Sequence, residues 1–304
     1  MRLLRLSVAS LALATGLATP AFADPALWKV SDADSDIYLF GSVHAFTREV
    51  DWRTPQFDEI LEAADHVFFE VVMDVEAYST ITQITLTKGM FGNGGTLADV
   101  LTPGEHERLA AAAASVGADM AMLDRMQPWL ATMTLANAAT PPTTAGVEIL
   151  VDAEVELARK RSLETAGEQM SFLADMTMKD QVDTLVSMVE GIESGAIAQL
   201  EPMLEAWEDG DTDRLATVLE SQVTERDGVL YDRLLTERNS RWLTRLEQLL
   251  ADDDESLVIV GAAHLIGIAG VPALLEAKGY TVERIDRTQT DGPSATGTGA
   301  ASRR

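Results

Sequence analysis

The chain has 304 residues, 46% of them hydrophobic and 24% charged, with a formal net charge of −26 and no cysteine. That length and apolar fraction give one large or two small globular domains with room for a core. Without cysteine there are no disulfides, thiolate metal ligands or cysteine nucleophile, and so negative a surface repels phosphate backbones, which sets nucleic acid aside as a partner.

Arg2 and Arg5 precede an apolar stretch from Leu6 to Leu17, and Ala21-Phe22-Ala23 is a small-x-small cleavage signature. The stretch is shorter than the roughly 20 residues a membrane span requires. Residues 1–23 therefore read as a secretory signal peptide, with a mature chain starting at Asp24 that is periplasmic or secreted and has no membrane anchor. Leu27 to Val30 reads as a strand, joined as a hairpin to a second strand starting at Ile37. Asp32, Asp34 and Asp36 imitate the start of a calcium loop, but Ile37 stands where such a loop needs glycine.

The second strand, IYLFGSVH from Ile37 to His44, drives an apolar run into a Gly-x-x-His turn and so presents an imidazole at its carboxyl end. Phe57, Ile60, Leu61 and Ala64 then mark a helix face, and Val67-Phe68-Phe69 forms a buried-type strand ending at Glu70. A helix that joins two parallel strands of one sheet brings both carboxyl ends to one edge. His44 and Glu70 are expected to share that edge.

From about Val75 to Leu250 the pattern is mostly helical. Thr102 caps a helix starting near Pro103, a helix over 124–138 is interrupted by Pro128, and a long helix is expected over 145–161, followed by a short strand over 161–165. Further helices cover 168–176, 180–193 and 201–209. Residues 229–250 form a strongly amphipathic helix with Tyr231, Leu235, Trp242, Leu246 and Leu249 on one stripe. Arg238 and Asn239 lie on or beside that stripe, and a cation facing the interior needs a partner.

LVIVGAAH, from Leu257 to His264, repeats the first motif with the same spacing, and Val271 to Ile285 repeats the helix and strand that follow it. The chain thus carries a diverged internal repeat of strand, Gly-x-x-His, helix and strand. If the strand at Val258 to Val260 joins the parallel set, His264 reaches the same edge as His44 and Glu70. The tail over 288–304, rich in Thr, Ser, Gly and Ala, reads as disordered.

Of the four histidines, His66 and His106 read as solvent-facing, whereas His44 and His264 each stand in the repeated context. An unpartnered Glu70 at the end of a Val and Phe run would be costly, so a metal or Arg238 is its expected partner. Two imidazoles and a carboxylate suit zinc, manganese, cobalt or iron(II), and a metal-bound water of lowered pKa is a nucleophile. No His-Glu-x-x-His, Gly-x-Ser-x-Gly, Walker or dinucleotide motif is present.

Over nearly the whole mature length the chain resembles the TraB/GumN family, which includes the pheromone-shutdown proteins and is related to the Tiki metalloproteases. The resemblance lies in LWKV with IYLFGSVH, the FFE of Phe68 to Glu70, TLADVLTPGE, Gln127-Pro128-Trp129, the LET of Leu163 to Thr165 with Glu168-Gln169, Glu237-Arg238-Asn239 with Trp242, and VGAAHLIGIAGVPALLEAKGYTVERI. It implies an α/β fold: a mixed central sheet from two related halves, 24–75 and 251–287, around a helical insertion over 76–250, distantly like the erythromycin esterases and haem-binding lipoproteins. It also implies metal-dependent peptidase chemistry on His44, His264 and Glu70, with Glu164 and Arg238 at other recurrent positions. Glu148 stands where the family usually has Asp, and the resemblance assigns it no role.

The leading expectation is an exported metal-dependent hydrolase of peptides or small proteins. His44 and His264 serve as ligands, Glu70 as ligand or base, and Arg238 as oxyanion partner. The three tips should then converge to roughly 3–5 Å, and replacing either histidine should leave the fold largely intact. Two alternatives use the same residues: a metal-independent esterase with a histidine base, and a protein that sequesters a peptide, haem or metal. Haem is the weakest of these, because the related lipoproteins use tyrosine and only Tyr38, Tyr78, Tyr231 and Tyr280 are available.

Overall fold

The computed structural model describes residues 23–196, 200–222, 228–252 and 254–285. The expected signal peptide, apart from Ala23, and the tail lie outside the described residues. The chain runs through β1 (Leu27–Ser31), β2 (Asp36–Ser42), α1 (Pro55–Ala63), β3 (His66–Phe69), α2 (Val75–Lys88), α3 (Pro103–Ser115), α4 (Pro128–Ala139) and α5 (Val147–Glu154). It continues through β4 (Lys160–Ser162), α6 (Ala166–Ala174), α7 (Met178–Ser194), α8 (Glu201–Glu208), α9 (Thr212–Gln222), α10 (Glu237–Leu250), β5 (Ser256–Gly261), α11 (Val271–Ala277) and β6 (Thr281–Ile285).

The architecture is mixed α/β around a six-stranded sheet of order β4-β3-β5-β2-β1-β6. β5 lies between β2 and β3 and pairs in parallel with both, while β1 pairs antiparallel with β2 and β6. The two halves therefore interlock: the crossover from β2 through α1 to β3 passes over β5, and the one from β5 through α11 to β6 passes over β2 and β1. Every residue of β5 is buried, which is why Ser256 to Gly261 reads as a continuous apolar run rather than an alternating one.

Alternate residues of β5 feed opposite faces. Leu257 and Ile259 pack with Phe40, Phe57, Leu61 and Trp207 on the side of α1, α5, α8 and α9. Val258 and Val260 pack with Trp242, Leu246, Val271 and Leu275 on the side of α10 and α11. Each such side chain contributes about 1.5–3 kcal/mol on burial. A separate core of Leu97, Leu109, Ala113, Leu123, Leu135 and Leu185 holds the helical insertion together through α3, α4 and α7.

Caps mark helix starts where the sequence does. Thr54 accepts the Phe57 N–H before Pro55, and Thr102 forms a capping box with Glu105. Three expected helices need correction. Pro128 begins α4 instead of interrupting a longer helix, because proline at the first position gives up only an N–H that has no partner there. The helix expected over 145–161 is confined to α5, since Gly146 caps its start, Val155 is already extended, and Lys160 to Ser162 pair with β3. The single helix expected over 229–250 contains a π-helical turn, Asp232–Thr236, before α10.

Candidate active site

The register brings three strand ends level: Phe69 pairs with Ile259, and Ser42 with Gly261. His44, Glu70 and His264, which follow these ends, meet around Gly261. Its N–H donates to Glu70 Oε1 at 2.9 Å. A Cβ built on it would lie 3.4 Å from Glu70 Oε1, 3.6 Å from His44 Nε2 and 3.7 Å from His264 Cδ2. Glycine at this position leaves open the small space that the three side chains surround.

His264 sits in a short 3-10 turn, 3% exposed, with its ring 4.5 Å from that of Trp242. Its Nδ1 is 2.6 Å from Asn239 Oδ1. The Asn239 amide nitrogen donates to the carbonyls of His264 and Ala269, so its oxygen is the acceptor and the ring proton belongs on Nδ1. The lone pair is thus on Nε2, 3.1 Å from Arg238 Nη1 and 3.7 Å from Glu70 Oε1. Burial, with help from Arg238 and His44 and against Glu70, lowers the His264 pKa to about 3, so the ring is neutral.

His44 has the same motif and different surroundings. Its side chain is 74% exposed, and Nδ1 lies 2.9 Å from Glu148 Oε1, to which Ser42 Oγ also donates. The Glu148 hydrogen bond outweighs partial desolvation and raises the His44 pKa to about 9. Gly146 makes this pairing possible: its N–H donates to the His44 carbonyl at 3.1 Å, and a Cβ there would fall 2.1 Å from the Val43 carbonyl oxygen. The chain can approach the first motif this closely only without a side chain.

Arg238 follows the π-helical turn and is 5% exposed, as its place on the stripe led us to expect. Its guanidinium donates to Glu70 Oε2 and to both oxygens of Glu164, and lies 4.8 Å from the Trp242 ring centroid. Glu164 is brought there by backbone pairing, with its N–H on the Glu70 carbonyl at 3.0 Å. Trp242 Nε1 donates to Glu164 Oε2, and Gln169 donates to Glu70 and Glu164 at 3.3 Å. Burial raises the Glu164 carboxyl despite Arg238. Burial acts upward on Glu70, but His264, once protonated at acid pH, with the Arg238 charge and the Gly261 N–H prevail and hold it at about 2.

The site opens into a cleft of about 430 Å³ lined by His44, Glu70, Met73, Tyr78, Glu148 and Ile149. His66 and His106 stand apart from it, facing Asp254 and Asp124. Both motif histidines follow the same sheet edge, as expected, but only His44 is exposed there, because α10 covers His264 with Arg238, Asn239 and Trp242. Four contributors escape a reading by residue type: Glu148, Asn239, Gln169 and Gly261. The sequence marks their positions without assigning roles: Asn239 lies on or beside the stripe of Arg238, Gly261 opens the second motif, and Glu148 and Gln169 stand at positions covered by the family resemblance.

Although His44, Glu70 and His264 border Gly261, among the described residues no group of three or more His, Asp or Glu is near enough together, as placed, to hold a metal ion. The donor chemistry nonetheless suits a divalent cation. Each imidazole has its Nδ1 beside an acceptor oxygen, the orientation that hydrogen-bond partners impose on metal-bound histidine, and His44 Nε2 and the His264 Cδ2 that neighbours its Nε2 border Gly261. Two ligands ~2.1 Å from one tetrahedral ion lie about 3.4 Å apart, and Glu70 Oε1 and His264 Nε2 are 3.7 Å apart. Arg238 Nη1 takes the His264 lone pair and must yield it to a metal.

No curated protein and no solved structure matches the chain. The family model that does match, described as the TraB/PrgY/gumN family, spans residues 26–284, from the first strand through both Gly-x-x-His turns to the last strand. By that match, which takes in most of the chain and every residue of the cluster around Gly261, the protein belongs to the TraB/PrgY/gumN family.

Proposed function

We propose that the protein is an exported hydrolase of peptides or small proteins that works with a divalent metal, manganese, cobalt or zinc. His44 Nε2, His264 Nε2 and Glu70 Oε1 would hold the ion. The observation that carries the reading is the convergence of two Nε2-bearing ring edges and a carboxylate oxygen on the space beside Gly261. When bound, a divalent ion supplies a Lewis acid and lowers the pKa of a coordinated water.

The remaining roles belong to the chain itself. With its pKa near 2, Glu70 is a poor proton acceptor and acts as a ligand rather than a general base. His44 stands at the cleft with Glu148 behind it, and it must be neutral to offer Nε2, so turnover is expected to rise with pH towards about 9. Arg238, anchored on Glu70 and Glu164, has Nη1 3.1 Å from His264 Nε2 and beside the Leu234 carbonyl, and its role is to stabilise a developing oxyanion. Asn239 holds the His264 proton on Nδ1.

A second reading rests on the contact of Arg238 Nη1 with His264 Nε2. If that contact persists during turnover, Arg238 is the resident cation and His44, backed by Glu148, is the base of a metal-free hydrolase. Elemental analysis of protein purified without chelators, with turnover of a peptide library with and without added manganese, cobalt or zinc, separates the two. Bound metal and metal-stimulated cleavage support the first reading. Cleavage that is unchanged by chelation supports the second, and peptide binding without cleavage refutes both.

A further inference from the structure

The outer face of α2 continues the cleft. Tyr78 lines the cleft at His44 and Glu70 and also lines a shallow groove of about 530 Å³ formed by Val75, Tyr78, Ser79, Thr82, Gln83 and Leu86 with Thr87. Three of these are large apolar side chains left open: Val75 is 86%, Tyr78 59% and Leu86 70% exposed. Met73 and Ile149, at 44% and 61%, extend the apolar surface on the cleft side. A helix surface of this kind on a soluble chain needs a reason.

Charge narrows the choice of occupant. The chain carries a net charge of −26, yet of the 14 residues of α2 only Glu76 and Lys88 are charged. Neither lines the groove, whose polar members are the hydroxyls and amide of Ser79, Thr82, Thr87 and Gln83. From Val75 to Leu86 the face runs about 16 Å at ~1.5 Å per residue, the length of about five residues of extended polypeptide. The groove is therefore uncharged, apolar in spaced patches, supplied with side-chain hydrogen-bonding groups, and continuous with the site.

Building on the hydrolase reading, we propose that the substrate is an extended polypeptide segment with apolar side chains. One end lies at His44 and Glu70, and the remainder runs along α2 over Tyr78 towards Leu86. Segments rich in acidic residues are excluded, because Glu70, Glu148 and Asp152 face the cleft they would have to enter.

Fluorescence anisotropy with a labelled peptide of about eight residues of alternating leucine and serine tests this. An all-serine peptide of equal length and a leucine-glutamate peptide serve for comparison. The leucine-serine peptide should bind at least about tenfold more tightly than either, and Leu86→Glu should remove about tenfold of that affinity. Leu157→Glu, at a leucine of similar exposure (73%) outside the groove, should leave binding unchanged. Equal binding of the three peptides, or equal affinity in Leu86→Glu and the unaltered protein, would overturn the proposal. Hydrolysis is scored separately: selective binding without cleavage leaves the groove standing and removes the hydrolase reading, whereas cleavage without selectivity does the reverse.

Discussion

His44 and His264 close the same four-residue turn at the carboxyl ends of neighbouring parallel strands, yet one side chain is 74% exposed and the other 4%. One ring faces a carboxylate and has its pKa raised to about 9; the other faces a guanidinium from within a core and has its pKa lowered to about 3. A turn motif sets where an imidazole starts, and the element packed over it sets its charge. Here α10 covers the second turn with Arg238, Asn239 and Trp242, whereas α5 brings Glu148 to the first and leaves its imidazole open to the cleft. The pair thus combines a solvent-accessible histidine that titrates near 9 with a buried one that stays neutral down to about pH 3.

The largest expected effect comes from the cation that divides the two environments. Arg238→Ala leaves Glu70 and Glu164 buried without their partner, which should cost about 3–5 kcal/mol and appear as a large fall in the urea midpoint. A change below about 1 kcal/mol would show that water enters the site and that the burial of this half is overstated.

Next is the contrast between the histidines. His264→Ala removes the ring packed on Trp242 and leaves Asn239 Oδ1 unpaired in the core, for a loss of about 3 kcal/mol. His44→Ala should stay within about 0.5 kcal/mol, as a surface change does, while abolishing turnover. Equal losses from the two substitutions would erase the difference described above.

Gly261→Ala isolates the shared space. The added methyl meets its neighbours at 3.4 Å or more and φ is −50°, so folding should change by less than about 1 kcal/mol. The methyl would nonetheless project between Glu70 Oε1, His44 Nε2 and the His264 ring, and bound metal and turnover should both disappear. Retained activity would place the chemistry elsewhere in the cleft.

The response to pH separates the same two motifs, which act on opposite sides of about 6.5. His264, neutral when folded down to about pH 3, lets the unfolded chain gain a proton first, so stability falls as pH drops from about 6.5 to 3. Glu70 adds to this loss between about 4.5 and 2. His44, with its folded value raised, stabilises fully below about 6.5 and loses that contribution as pH rises through about 9, a small term at so exposed a ring. Urea midpoints measured across pH should show both limbs, and Glu148→Gln should remove the alkaline one.

The strands and turns of the two motifs were legible in the sequence because apolar runs that end in glycine have few other uses, and the helix starts were legible where a capping residue precedes proline. The placement of His44 and Glu70 on one edge followed from the crossover rule, and Arg238 was marked by a cation on an apolar stripe. Three features were not legible. The insertion of β5 between β2 and β3 depends on pairing across nearly the whole chain. The π-helical turn leaves the local apolar pattern of residues 229–250 almost unchanged. Asn239, Glu148 and Gln169 carry no signal of their partners, which lie 25, 104 and 99 residues away.

The sequence by itself determined the acidity, the absence of thiol chemistry, the strand and helix periods and the two repeated turns, because each of these is a property of residues close together in the chain. Tertiary structure alone decided which histidine is buried, which carboxylates share Arg238, and that Gly261 lies at the centre of the site. Those are matters of burial and of distance between segments far apart in sequence, and they decide the protonation state of every group in the cluster.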